Sequence, residues 1–377
     1  MISKIFFPAI IYLICSCMPV FLIAQDTISK NRIGILPVPS FGYSPETGTY
    51  FGAVALFTFQ KNSDSISRAG NAKIEFVYTL KKQIILETEW NMPFDSGNYF
   101  TKGLIHFSKY PDRYFANEKG GSDFKGYYFL SERISAEASM LKRVRREFYG
   151  GLTFKFVDYS VLRDSFPLNI GIPNANATVI GGGPTVFFDS RDHLLTPSKG
   201  WYIWVNGGFY SSKNDYFKLT LDFRKYFSGK LGNTFSFRLL QEFNTSKSPF
   251  FDLPRIGGDE ITRGIYSGRF FNDHSAILQM EYRFKVYRRW GVSVFGGGST
   301  VYNRYSALNN LELFSNAGSG LRFMIDRKGK QICALIMLSD LMGAPDFMWH
   351  SVNPFKKKSD NIIFYVVRLK CYWLLNF

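Results

Sequence analysis

Between Tyr216 and Phe227 the side chains alternate with a period of two, and the polar face carries full charges. Phe217, Leu219, Leu221 and Phe223 share one face of an extended chain, while Lys218, Thr220, Asp222 and Arg224 share the other. The stretch after Ala276 repeats the pattern, with Leu278, Met280, Tyr282 and Phe284 against Gln279, Glu281, Arg283 and Lys285. Thr234 to Phe243 sets Phe235, Phe237 and Leu239 opposite Ser236, Arg238 and Glu242. Each strand therefore needs hydrocarbon on one side and water or ion pairs on the other. A soluble β-sandwich or small barrel with its apolar face inward meets that need, and so does a membrane barrel with its apolar face outward. Alternation alone leaves both open.

The two ends of the chain favour the membrane barrel. Leu369, Cys371, Trp373, Leu375 and Phe377 alternate with Arg368, Lys370, Tyr372 and Asn376, so the chain closes on a strand signal whose last members are Trp373, Leu375 and Phe377. At the other end Lys4, the apolar stretch Ile10 to Ile14 and a cleavage point between Ala24 and Gln25 read as a signal peptide over residues 1–24. A retained anchor and lipid attachment at Cys17 are the alternatives. Residues 25–377 hold no long uninterrupted apolar run, so no spanning helix is expected there. With 39 Phe and 22 Tyr, the chain has the aromatics that a lipid-facing band with two interfacial girdles requires. Cys333 and Cys371 fall in apolar strands and read as thiols, with a disulfide between them as the minor alternative.

The expected fold is all-β: one transmembrane antiparallel barrel over residues 25–377, with about 16 strands and a long extracellular loop folded into the lumen. With the N-terminus in the periplasm, residues 110–124, 158–177, 245–273, 303–314 and 341–361 become outer loops, and 227–233 and 287–290 become short inner turns. The localisation expected is the bacterial outer membrane, reached by export.

The net charge of +16 has no nucleic-acid motif beside it, so nucleic acid is not an expected partner. Lys142, Arg143, Arg145, Arg146, Arg288, Arg289, Arg327, Lys328 and Lys330 gather instead at the inner ends of strands. Such a basic rim meets lipid headgroups or simply solvates the turns. Outer-membrane lipids are thus an expected partner, with Lys356, Lys357 and Lys358 facing the outer leaflet. No cofactor or metal is expected, because His106, His193, His274 and His350 are scattered without ligand spacing. No G-x-S-x-G elbow occurs. His106 and Ser108 share a face, as a nucleophilic dyad would, which keeps an outer-membrane phospholipase as a minor alternative to a non-enzymatic barrel.

Two internal segments, taken with the final strand, carry a family resemblance. Gly183 to Gly200 reads GPTVFFDSRDHLLTPSKG, and Leu253 to Phe270 reads LPRIGGDEITRGIYSGRF. In these positions and this order the chain resembles the BamA/TamA superfamily of outer-membrane barrels, the bacterial surface antigen type. The resemblance implies that Asp189, Arg191, Asp192, Pro197 and Gly200 form an inner turn. It also implies that Gly257, Gly258, Arg263 and Gly264 lie on a loop between the eleventh and twelfth strands, with Arg263 bracing that loop inside the barrel. Relatives commonly supply the acceptor from an F-x-D-x-G strand, where this chain has Phe295, Gly296, Gly297, Gly298 and Ser299. The Asp is absent, so Asp222, Glu242 or Glu281, or Asp189 or Asp192, are the carboxylates to consider.

About ten residues separate Gln25 from the first strand near Ile35, too few for a periplasmic module of the kind the protein-inserting members carry. A short, bare barrel is expected, and any insertion role would depend on partners such as nascent outer-membrane proteins or periplasmic accessory proteins. The resemblance implies an accessory in outer-membrane protein or lipid assembly, working through a seam between the first and last strands. Pro37 and Pro39 fit a weak edge there or simply mark a strand boundary. A passive pore or structural surface protein is the rival reading.

Overall fold

A computed structural model of the chain describes residues 31–44, 48–61, 70–115, 126–164, 176–194, 196–229, 232–245, 247–258, 262–263, 265–303, 312–326, 331–340 and 366–370. The first eight strands are β1 (Asn31–Ser44), β2 (Gly48–Lys61), β3 (Gly70–Thr79), β4 (Ile84–Phe94), β5 (Tyr99–Tyr114), β6 (Tyr127–Arg145), β7 (Phe148–Asp164) and β8 (Ala177–Asp189). They continue as β9 (Gly200–Ser211), β10 (Tyr216–Ser228), β11 (Thr234–Asn244), β14 (His274–Tyr287), β15 (Trp290–Tyr302), β16 (Phe314–Asp326), β17 (Gln331–Asp340) and β18 (Val366–Lys370). The 245–273 loop contains two short strands, β12 (Arg255–Ile256) and β13 (Phe270–Phe271).

Apart from that loop pair, the strands form one 16-stranded antiparallel sheet in sequence order, and β1 and β18 come to lie side by side. This is an up-and-down transmembrane barrel, in which each strand pairs with its neighbours in sequence and the connections alternate between the two rims. Among the described residues no helix is long and apolar enough to cross a membrane, so crossing falls to the strands.

Which face looks outward is settled by burial. On β10, Asp222 is 7% and Arg224 3% exposed, whereas on the other face of the sheet Phe209 of β9 is 74%, and Leu152 and Phe154 of β7 are 65% and 53% exposed. The polar parity lines the interior and the apolar parity faces lipid, as the charged alternation requires.

The ends of the strands depart in places from the sequence-based geography. The loop over 245–273 and the inner turns near 229–233 and 288–289 fall where expected, but β5 runs on to Tyr114 and β7 to Asp164. The outer loops expected at 110–124 and 158–177 therefore begin only after Tyr114 and Asp164. The extra ladder carries Pro111 opposite Leu130, and Asp112 and Arg113 alternate outside any simple apolar pattern, which is why these ends read as loop. Together β5, β6 and β7 form a tall wall on one side of the barrel, and the 245–273 loop leans on it. The segment 1–24 expected to be a signal peptide, Arg327, Lys328 and Lys330, Lys356 to Lys358, and Trp373, Leu375 and Phe377 lie outside the described residues.

Candidate functional site

The inner-turn motif builds a closed knot between β8 and β9. Asp189 ends β8 fully buried, and its carboxylate takes two parallel bonds from Arg191, Nε to Oδ1 and Nη2 to Oδ2, each 2.9 Å. Planar fork against planar carboxylate is the strongest geometry available to this pair. Asp192 caps the far side of the turn, accepting from the backbone N–H of Ser198 at 2.8 Å and of Lys199 at 3.2 Å. Gly200 restarts the sheet at φ 109°, where a side chain would be strained, and a Cβ there would meet the Ser190 carbonyl oxygen at 2.3 Å. The Pro197 carbonyl in turn accepts from Nη1 of Arg283 on β14 at 3.4 Å, so the knot reaches across the lumen.

From the outer end the 245–273 loop descends toward the same region. β12 and β13 pair as a small hairpin whose tip carries the motif. Gly257 at φ 103° and Gly258 at 84° turn the chain, and a Cβ on Gly257 would lie 2.1 Å from the Tyr266 carbonyl oxygen. The Gly258 N–H bonds to Ile265 O at 2.9 Å, and Thr262 N–H returns to Gly258 O at 3.0 Å, closing the tip around Arg263.

Arg263 meets Glu281, with Nη1 3.3 Å from Oε2. Glu281 sits seven residues below the start of β14, so the tip reaches roughly 20 Å down the wall at strand rise. Arg283 Nε and Arg322 Nη1 also reach Glu281, each at 2.9 Å from Oε1. The Arg263 guanidinium lies 4.6 Å from the centroid of the Phe295 ring, and its carbonyl accepts from Asn316 Nδ2 at 2.8 Å. Glu281 pairs directly with Phe295 across β14 and β15, and Gln279 with Gly297. The acceptor of Arg263 is therefore Glu281 on β14, which stands opposite Phe295 of β15. Of the other acceptors considered, Asp189 and Asp192 are engaged within the inner turn, Asp222 binds Arg224 and Arg238, and Glu242 lies 3.2 Å from Lys218 Nζ.

A second anchor holds the loop at the outer end. A short 3-10 turn, Phe250–Asp252, buries all three of its residues. Asp252 pairs with Lys155 of β7, accepts from Tyr216 Oη at 2.5 Å, and lies 3.8 Å from Lys218 Nζ of β10. Burial alone would push this carboxyl up, but the two lysines hold it well below the usual aspartate value. Around it Tyr114, Phe129, Tyr159, Phe250, Phe251 and Phe271 form an aromatic cluster, in which Phe251 stacks on Tyr159 with ring centroids 4.5 Å apart. Tyr266 Oη donates to Asp112 Oδ1 of β5 at 3.2 Å. On the opposite wall Phe270 stacks on Phe314 of β16 at 3.9 Å. The loop therefore bridges the lumen from one side to the other.

Two further ionic groups line the wall. Asp222 binds Arg224 and, through Nε at 3.2 Å and Nη2 at 3.0 Å, Arg238. Lys73 lies among Glu75, Glu87 and Glu89 at 3.2, 2.8 and 2.9 Å. His106 Nδ1 is 3.1 Å from Glu87 Oε2, and among the described residues it makes no hydrogen bond to Ser108. No group of three metal-ligating side chains occurs among the described residues.

The residues singled out in sequence thus fall into an inner-turn knot (Asp189, Arg191, Asp192, Pro197, Gly200) and a loop tip (Gly257, Gly258, Arg263), joined through Arg283. Gly264 lies outside the described residues. The sequence reading missed Asp252 and Lys155, and placed Lys218 on the polar face without a partner for it. A carboxylate directly after Phe250 and Phe251 in a long polar loop was the available signal, since such a trio is a poor solvent-exposed segment.

No protein-family model matches the sequence, and no curated protein matches it. Among solved structures the barrel is similar to BamA from Haemophilus ducreyi lacking POTRA domains 1-3, with TM-score 0.52 and 13% identity, covering 83% of this chain and 67% of that one. It is similar to CdiB from Acinetobacter baumannii with the same TM-score and identity, covering 84% of this chain and 57% of that one, so it spans little more than half of CdiB. Both are Omp85-type outer-membrane barrels, and the fold described above is theirs.

Proposed function

We propose that this chain, with the fold of an Omp85-type barrel, resides in the bacterial outer membrane and acts there as an accessory in protein or lipid assembly through the seam between β1 and β18. The observation that carries the proposal is the edge of β1. Its register with β2 runs unbroken from Asn31 opposite Lys61 to Ser44 opposite Gly48, straight through Pro37 and Pro39. A ladder continuous across two residues without N–H groups places both at its non-hydrogen-bonded positions. The missing donors are therefore those of the other edge, the one that faces β18. A seam short of two donors is easier to part than the ladders beside it, and an incoming strand would meet the same edge.

The filled lumen supports assembly over the rival reading of a passive pore. A loop tied to Glu281, to Asp252 and to the far wall leaves little room for an open channel. BamA and CdiB share the fold, and what those proteins do is carried to this chain only as part of the proposal. The reading assigns no catalysis.

The test is a pair of measurements on the full-length barrel. Photocrosslinkers at Ile35 or Phe41, both outward-facing on β1, should capture nascent outer-membrane proteins or lipid in native membranes, and the purified barrel should be electrically quiet in a planar bilayer. Steady open conductance with no crosslinked product would replace this reading with the pore.

A further inference from the structure

Between the 245–273 loop and the tall β5–β7 wall lies a cavity of about 190 Å³, at the outer end of the lumen. Its lining is cationic and flat-walled at once. Arg113, Arg133 and Arg255 contribute guanidiniums, and Asp112 is the one carboxylate among the described lining residues, with Asp252 and Glu137 acting on Arg133 from outside the lining. Asp112 is already engaged, accepting from Tyr266 Oη at 3.2 Å and from the N–H of Arg113 at 2.7 Å. Arg255 spends Nη2 on the Phe250 and Phe251 carbonyls, and Arg113 donates to Tyr128. Arg133 differs: its Nε is sealed from solvent with no acceptor among the described residues. Elsewhere in this lumen the guanidiniums of Arg191, Arg224, Arg238, Arg263, Arg283 and Arg322 each meet a carboxylate.

Three guanidiniums lining one cavity, with a single and already engaged carboxylate among the described lining residues, leave a net positive charge there that a bound anion would offset through the Arg133 Nη groups. The walls name the rest of the ligand. Tyr114, Tyr159, Phe251 and Phe271 present ring surfaces to the same space, which suits a flat apolar body. The volume sets its size, since an engineered cavity of about 150 Å³ accommodates benzene. We propose that this cavity is a binding site for a small organic oxyanion built on a single flat ring, an aryl carboxylate or aryl phosphate, with Arg133 as its principal anion contact and Arg255 as the second.

This inference is independent of the seam and stands or falls by itself. Isothermal titration of the full barrel in neutral detergent is the test, with phenyl phosphate, benzoate, the uncharged benzyl alcohol and inorganic phosphate as probes. Phenyl phosphate or benzoate should bind at one site, and benzyl alcohol and inorganic phosphate at least tenfold more weakly. Arg133→Gln should weaken the preferred probe at least tenfold. Ser131→Leu, which keeps every charge but fills space in the lining, should do the same, and it serves if Arg133→Gln does not fold by heat-modifiable migration. Absence of binding, equal binding of benzyl alcohol or of inorganic phosphate, or binding that survives both substitutions would each overturn the proposal.

Discussion

Glu281 carries more of the lumen than any single arginine around it, because it is the acceptor common to Arg263, Arg283 and Arg322. Its side chain is 1% exposed, so solvent screens little of the interaction. Removing the shared carboxylate leaves three buried guanidiniums facing one another, whereas removing one arginine leaves the other two in place. Glu281→Gln should therefore destabilise the barrel by about 3–5 kcal/mol, and Arg263→Ala by about 2 kcal/mol. Urea unfolding in lipid vesicles measures both, and equal costs would mean that the cluster is not centred on Glu281. Arg263 was legible in the sequence as the residue that needs a carboxylate. Which carboxylate was not, because Glu281 and Arg263 are brought together by the descent of a loop, and nothing in the linear pattern separates Glu281 from Asp222 or Glu242.

At the scale of the element, the 245–273 loop behaves as a strap fastened at two heights, by Arg263 deep in the lumen and by Asp252 near its mouth. The Asp252 carboxyl is held below its ordinary value of 3.8, so the docked loop favours the charged form. The stability this contributes is fully present above the ordinary value and is lost as pH falls through the depressed one. Protection of residues 247–256 from hydrogen exchange, taken relative to the intrinsic amide rate at each pH, should stay high at neutral pH and fall once the pH drops below the ordinary aspartate range. Asp252→Asn should abolish that pH dependence and leave protection low throughout, while an unchanged profile would detach Asp252 from the fastening. The loop's bounds, 245–273, were readable from where the alternation stops and resumes. Its second fastening was not, because Lys155 and Lys218 lie on β7 and β10, some 97 and 34 residues away in sequence.

At the scale of the whole molecule, the outward face must remain apolar across the hydrocarbon and becomes tolerant only near its rims. Phe154 stands in the middle of β7 and Val144 near the inner end of β6, exposed by 53% and 65%. Phe154→Arg should cost about 2–4 kcal/mol and Val144→Arg about 0–1 kcal/mol. Unfolding in vesicles gives both values, and a Val144 cost as large as that of Phe154 would move the membrane boundary. The alternation of apolar and charged positions, a property of neighbouring residues alone, was enough to determine strand count and strand order, while which parity faces lipid it left open and burial in the folded barrel settled. Count and order are local because a strand's period of two is local, and an up-and-down barrel needs no other rule to connect its neighbours. What else only the tertiary structure decided is everything that crosses the lumen: the partner of Arg263, the aromatic bed beneath Phe250 and Phe251, the reach of Arg283 to Pro197, and the cavity around Arg133. These contacts join strands far apart in the chain, and their geometry exists only once the sheet has curved round to bring opposite walls within a side chain's length.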